Sequence, residues 1–243
     1  MECYRRRLVA VVGVLFDDLR FDDDLLNAAL LTLDVQHNRR LLLRLLRAHL
    51  SGEHGWREQH PANIAFLRDL AARGCDAAAW LGMMPRAYRC AGVAGGRVRL
   101  RLERDPLRIL QMGNLMDTCL SFGGINSFST VANAGELNKR VIYATDMSGR
   151  IVGRKLIAIS QEWKLVGFHT YSSLGDTAGN TALRAVFRRY AASFAERCGL
   201  EPADQGTVAR LFAEAWYDDG VVPWIEDVEG TTTDQRRSSL AEV

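Results

Sequence analysis

The sequence predicts an α+β fold, a helical N-terminal part followed by an antiparallel β-sheet packed with helices. Near residue 95 the apolar period changes from helical spacing to strict alternation. Beyond that point, three strand-like runs joined by short polar connections precede one long amphipathic helix.

The opening "MECYRRRLVAVVGVLF" has a basic cluster and then the apolar run Leu8 to Phe16. Asp17 and Asp18 end that run and no small-residue cleavage site follows, so it predicts a buried helix and not a signal peptide. Leu25, Leu26, Ala29, Leu30 and Leu33 recur at helical spacing, and "RRLLLRLLRAHL" follows with arginines at the intervening positions. In "HPANIAFLRDLAARG", His60 and Pro61 mark a helix start, Ile64, Leu67 and Ala71 one face, and Gly74 the stop. These short helices predict stacked helical hairpins, closed by the glycine-rich turn or linker Cys90 to Gly96.

In "RVRLRLE", Val98, Leu100 and Leu102 alternate with Arg97, Arg99 and Arg101, which describes a half-buried strand with a basic outer face. "DPLRILQMG" reads as a short helix with Asp105 as N-cap and Pro106 in its first position. "RVIYAT", "RIVGRKLIAIS" and "KLVGFHTY" are antiparallel neighbours because "DMSG" and "QEW" are too short for crossovers. Leu183, Val186, Phe187, Tyr190 and Phe194 form one face of a final helix ending at Gly199, with Arg184, Arg188 and Arg189 on the other. The expected organisation is a helical domain over 1–96, an α+β domain over 97–226 and a disordered tail over 227–243.

Composition limits the function. With 243 residues, 48% of them hydrophobic, the chain has ample material for a core. Thirty-one basic and 29 acidic residues leave a formal charge of +2, so the overall balance does not imply nucleic acid. The five cysteines are scattered without a C-x-x-C, which excludes a disulfide framework and a structural zinc site. His37, His49, His54 and His60 lack a second ligand at helical spacing, so neither metal nor cofactor is expected. No apolar stretch approaches the roughly 20 residues of a membrane span, and a cytoplasmic location is expected. P-loop, dinucleotide, H-E-x-x-H and G-x-S-x-G motifs are all missing.

The candidate site is "GNLMDTCLSFGGINSFS", which sets Cys119 beside Gly123, Gly124 and Asn126. A thiol in a glycine-rich loop ahead of a helix gains acidity from backbone donors, and those donors can form an oxyanion hole. His169, the only histidine after residue 60, lies on a later strand. A cysteine before a helix and a histidine on a later strand follow the order of papain-like thiol enzymes. Asp176 or Asp117 would orient the imidazole. The strand "RIVGRKLIAIS" puts Arg154 and Lys155 on faces that are otherwise apolar, so at least one cation is embedded and needs a partner. Arg154 either pairs with an acid such as Glu103, Asp117 or Asp146 or binds a substrate carboxylate or phosphate.

"MGNLMDTCL", followed by two strands, resembles the G-x-x-M-x-x-C-[VL] core of PcfJ-like proteins over residues 112–160. The order of elements is also similar to that of GNAT-type acyltransferases, which implies acyl-CoA binding at a [QR]-x-x-G-x-[GA] loop. "DTAGNT" keeps Gly179 there but has Asp176 and Thr181 at the other two places, and an acid repels phosphate. The expected function is a cysteine-centred acyl-transfer enzyme of thiol-hydrolase type, with Cys119 as nucleophile, His169 as base and Arg154 as substrate contact. The alternatives are a non-catalytic protein-interaction module, docking a partner through its helical part, and a GNAT-like acyltransferase.

Overall fold

A computed structural model describes residues 24, 28, 31, 32, 35–53, 55–175, 177–218 and 220–225. The expected first helix, the apolar series from Leu25 to Leu33 and the polar tail lie outside the described residues. Among the described residues, seven named α-helices and one sheet give the expected α+β class. In chain order these are α1 (Arg39–Leu50), α2 (Trp56–Gln59), α3 (Pro61–Ala72), α4 (Ala77–Leu81), β1 (Arg86–Arg89), β2 (Arg97–Leu102), α5 (Pro106–Leu110), α6 (Phe128–Gly135), β3 (Lys139–Thr145), β4 (Ile151–Ile159), β5 (Leu165–Ser172) and α7 (Thr177–Cys198).

The described residues form two compact units whose sequences interleave. One draws on Met1–Ala77, Glu103–Val141 and Ala209–Asp218, the other on Ala78–Leu102, Ile142–Val208 and Asp219–Val243.

In the first unit α6 packs against α1 and α5. α1 buries Leu42, Leu45, Leu46 and Ala48 between its exposed arginines, as an amphipathic stripe must. α3 starts as expected, with the His60 ring nitrogen accepting the Ala62 N–H and Pro61 in the first turn. Its buried face differs from the expected one: Asn63, Phe66 and Leu70 point inward while Ile64 is 51% exposed. Asn63 sets that rotation. Its amide donates to Arg57 O and Gly135 O and its oxygen accepts the Leu137 N–H, so turning it outward would break three buried hydrogen bonds. α5 is capped by the Asp105 carboxylate, which accepts the Leu107 N–H at 2.9 Å.

The second unit is built on an antiparallel sheet of order β1-β2-β3-β4-β5. β1 has no counterpart in the sequence reading. Its four residues, RAYR, carry no apolar alternation, and they pair because the Cys90–Gly96 stretch folds into a hairpin turn closed by the Cys90 N–H on Gly96 O. Gly92, Gly95 and Gly96 all take positive φ there. On β2 the alternation is realised: Val98, Leu100 and Leu102 are buried, Arg97 and Arg99 exposed. α7 buries all five expected residues from Leu183 to Phe194 and packs on β5. The Tyr190 hydroxyl donates to Met84 O at 2.9 Å, and Phe194 lies against Trp80. Gly199 ends the helix in a left-handed conformation.

Candidate functional site

The Cys119 loop belongs to the first unit, between α5 and α6, and is a series of tight turns. Gly113 O accepts the N–H groups of Met116 and Thr118, Thr118 O accepts from Ser121, Ser121 O from Gly124, and Cys119 O from Asn126. Side chains complete the closure, with Asn114 Oδ1 taking the Phe122 N–H at 2.8 Å and Thr118 Oγ1 the Leu120 N–H. Two glycines are required by this packing. A Cβ on Gly113 would sit 2.1 Å from the Leu120 carbonyl carbon, and one on Gly124 would sit 2.3 Å from Cys119 O. Gly123 contributes a positive φ of 75° instead. The G-x-x-M-x-x-C-[VL] pattern therefore has a physical reading: its first glycine touches the backbone of its last residue.

Cys119, Gly123, Gly124 and Asn126 are thus brought together. The N–H groups of Leu120, Ser121, Phe122, Gly124 and Asn126 are spent inside the loop, and α6 begins only at Phe128, so Cys119 is not at a helix N-terminus. The Cys119 side chain is exposed. Ile125, in the same loop, is 85% exposed.

His169 and Arg154 lie in the second unit and share Tyr171. The His169 ring meets Tyr171 edge-on at 4.9 Å, and the Arg154 guanidinium stands 4.4 Å over the same ring. Arg154 and Tyr171 are cross-strand partners, which brings the cation to the aromatic ring. Arg184 Nη2 lies 3.4 Å from His169 Nε2. A guanidinium only donates, so this contact requires Nε2 as acceptor and the ring proton on Nδ1. Both strand cations are buried. Lys155 donates to Phe168 O at 2.6 Å and faces the Trp224 ring, for which Gly167 leaves room. Of the acids expected near Arg154, Glu103 caps the backbone of Arg104 and Asp105, and Asp146 holds Ser148 and Arg150. Asp176 lies outside the described residues.

The most elaborate polar assembly is one that sequence reasoning missed. In the same unit as the Cys119 loop, the irregular segment Ala209–Asp218 is fixed to the N-cap of α1, to α6 and to the start of β3 by side chains. Glu136 Oε1 accepts the N–H groups of Leu211, Phe212 and Ala213, each at 2.7 Å. Asn38, at φ 61°, accepts from Glu214 and Ala215 and donates to Phe128 O and Ala215 O. Ser129 takes the Tyr217 N–H, and Asn133 takes the Trp216 indole N–H. His60 stacks on Phe212 at 3.7 Å, and burial, followed by the nearby Arg44, lowers its pKa. The density of Ser and Asn in "NSFSTVANAGELN" was the visible signal, and it serves this segment.

A cavity of about 370 Å³ in the first unit is lined by His49, Trp56, Arg57, Glu58, Arg104 and Asp105 among others. Its charged lining is three acids, Glu53, Glu58 and Asp105, and two arginines, and Arg57 is already bonded to Ala134 O and Glu58. Among the described residues no cluster of three or more His, Cys, Asp or Glu could hold a metal ion, and no helix is long and apolar enough to cross a membrane. No family model, curated protein or solved structure matches the chain.

Proposed function

We propose that this chain is a non-catalytic interaction module that presents the Cys119 loop as a rigid contact surface. The supporting observation is that the loop closes on itself through the N–H groups of Leu120, Ser121, Phe122, Gly124 and Asn126 while Cys119 and Ile125 are exposed. A catalytic loop needs donors directed at a reacting oxygen, and five of the donors that follow Cys119 are engaged within the loop. An exposed isoleucine on a self-closed turn adds apolar area suited to a partner at no ordering cost on binding. The test is iodoacetamide labelling of Cys119 against pH in the full chain. A contact surface predicts a pH profile of labelling that His169→Gln leaves unchanged.

A second reading is a cysteine-centred acyl-transfer enzyme with Cys119 as nucleophile and His169 as base. The solvent access of the thiol favours it, since a nucleophile must reach its substrate. It predicts a thiol ionising well below the free-cysteine value and a shift of that ionisation in His169→Gln. In that outcome the interaction module is abandoned.

A further inference from the structure

We infer that the outer face of the β1–β2 hairpin is an electrostatic contact surface for the phosphate backbone of double-stranded nucleic acid. The whole-chain charge of +2 conceals how the cations are distributed. Residues 78–102 contain five arginines and no Asp or Glu. Pairing then concentrates them. Arg89 lies directly across from Arg97, and Ala87 across from Arg99, so Arg89, Arg97 and Arg99 share one face, with the half-exposed Arg101 continuing the row. Outward side chains on a strand recur about every 6.6 Å.

This arrangement is unfavourable for an isolated hairpin. Like charges directly opposite on a sheet repel. Arg86, Arg89, Arg97 and Arg99 make no ion pair among the described residues. Protection of the sheet edge would account for charges on β1, which is the edge strand, but not for Arg97 and Arg99 on β2, which is paired on both sides. A polyanion resolves the repulsion and is rewarded by counterion release.

The face also indicates the kind of polyanion. Tyr88 points to the opposite face, against Tyr190, and Tyr143, across from Arg101 on β3, is buried, so the outward positions offer no aromatic platform for unstacked bases. A duplex keeps its bases stacked internally and presents only phosphates, which is what a row of arginines can read. Binding is therefore sequence-independent.

The experiment is fluorescence anisotropy of the full chain with a fluorescein-labelled mixed-sequence DNA duplex of about 20 base pairs, roughly two helical turns. Titrations run between about 50 and about 200 mM salt. The wild type should bind with log affinity falling linearly in log salt. Arg97→Gln/Arg99→Gln should weaken binding at least about tenfold at the low-salt end and reduce the slope by about 1.8, some 0.9 for each phosphate no longer neutralised. Arg39→Gln/Arg40→Gln, which removes the same charge from exposed positions in the other unit, should change neither. Thermal melts separate binding from folding: the hairpin variant should melt no lower than wild type, because a repulsive pair has been relieved. Absence of duplex binding, equal losses in the two variants, or tighter binding to phosphatidylserine vesicles than to the duplex would each overturn the proposal.

Discussion

Glu136 and Lys139 form an ion pair in which neither side chain has any solvent exposure. Lys139 Nζ also donates to Asn138 Oδ1 at 3.1 Å and Ala209 O at 3.0 Å, with the Trp216 ring 4.6 Å away. Desolvation lowers the Lys139 pKa, and Glu136 opposes that shift. Such a pair survives burial only when its remaining donors and acceptors are satisfied, and here the Ala209–Asp218 segment satisfies them. The pair and the segment hold each other in place.

Removing one partner should therefore be far worse than removing both. Lys139→Met and Glu136→Gln should each cost about 3–5 kcal/mol, because each leaves a buried group uncompensated. The double variant should cost clearly less than their sum, as read from urea denaturation. Simple additivity would show that the two groups act independently. The folded Lys139 pKa lies below its ordinary 10.5, so between the folded value and 10.5 the unfolded chain binds more protons and stability rises with pH. Lys139→Met should flatten that rise.

The Cys119 loop tests steric need against conformational need. Gly124→Ala drives a methyl into Cys119 O and should destabilise by about 1–3 kcal/mol or more, while increasing the labelling rate of a loop forced open. Gly123→Ala meets open space and is limited by its positive φ, so about 1 kcal/mol is expected. Equal effects in thermal melts would contradict the self-closing geometry.

What the sequence made legible follows from periodicity. The β2 alternation, the α7 face and the Asp105 cap were all readable because local pattern and final burial agree there. The rotation of α3 was hidden because Asn63, a polar residue, is drawn inward by the Gly135 carbonyl and the Leu137 N–H, both more than 70 positions away, and by Arg57 O. β1 was hidden because its register comes from the following turn and not from its own side chains. In the candidate site, the cluster Cys119, Gly123, Gly124 and Asn126 was readable as one loop. The role of the nearby asparagines was not, since their partners lie in Ala209–Asp218, a segment without periodicity.

Asn38 is the other anchor of that segment, and its left-handed backbone suits asparagine better than most residues. Asn38→Ala removes hydrogen bonds to Phe128, Glu214 and Ala215 and adds backbone strain. A loss of about 2–4 kcal/mol is expected from stranded groups worth about 1–3 kcal/mol each. Hydrogen exchange should rise first in 211–217. Unchanged protection there would show that Glu136, Ser129 and Asn133 secure the segment without Asn38.

Asp146 governs the acid side of stability at the β3–β4 turn. Its Oδ1 accepts the Ser148 hydroxyl at 2.6 Å and the N–H groups of Ser148 and Arg150, and Oδ2 meets Arg150 Nε at 3.3 Å. The Ser148 hydroxyl, more than any other contact, holds its pKa below the ordinary 3.8. With the folded value below the unfolded one, the stabilisation is fully present above 3.8 and is lost as pH falls through the folded value. Asp146→Asn keeps one acceptor oxygen for the turn but has no charge to titrate. The wild-type melting temperature should therefore exceed that of Asp146→Asn at neutral pH, and the difference should shrink as the pH is taken down through and below 3.8. A difference that stays constant across that range would mean that the turn depends on carboxamide-like geometry alone, without any contribution from the ionised carboxylate.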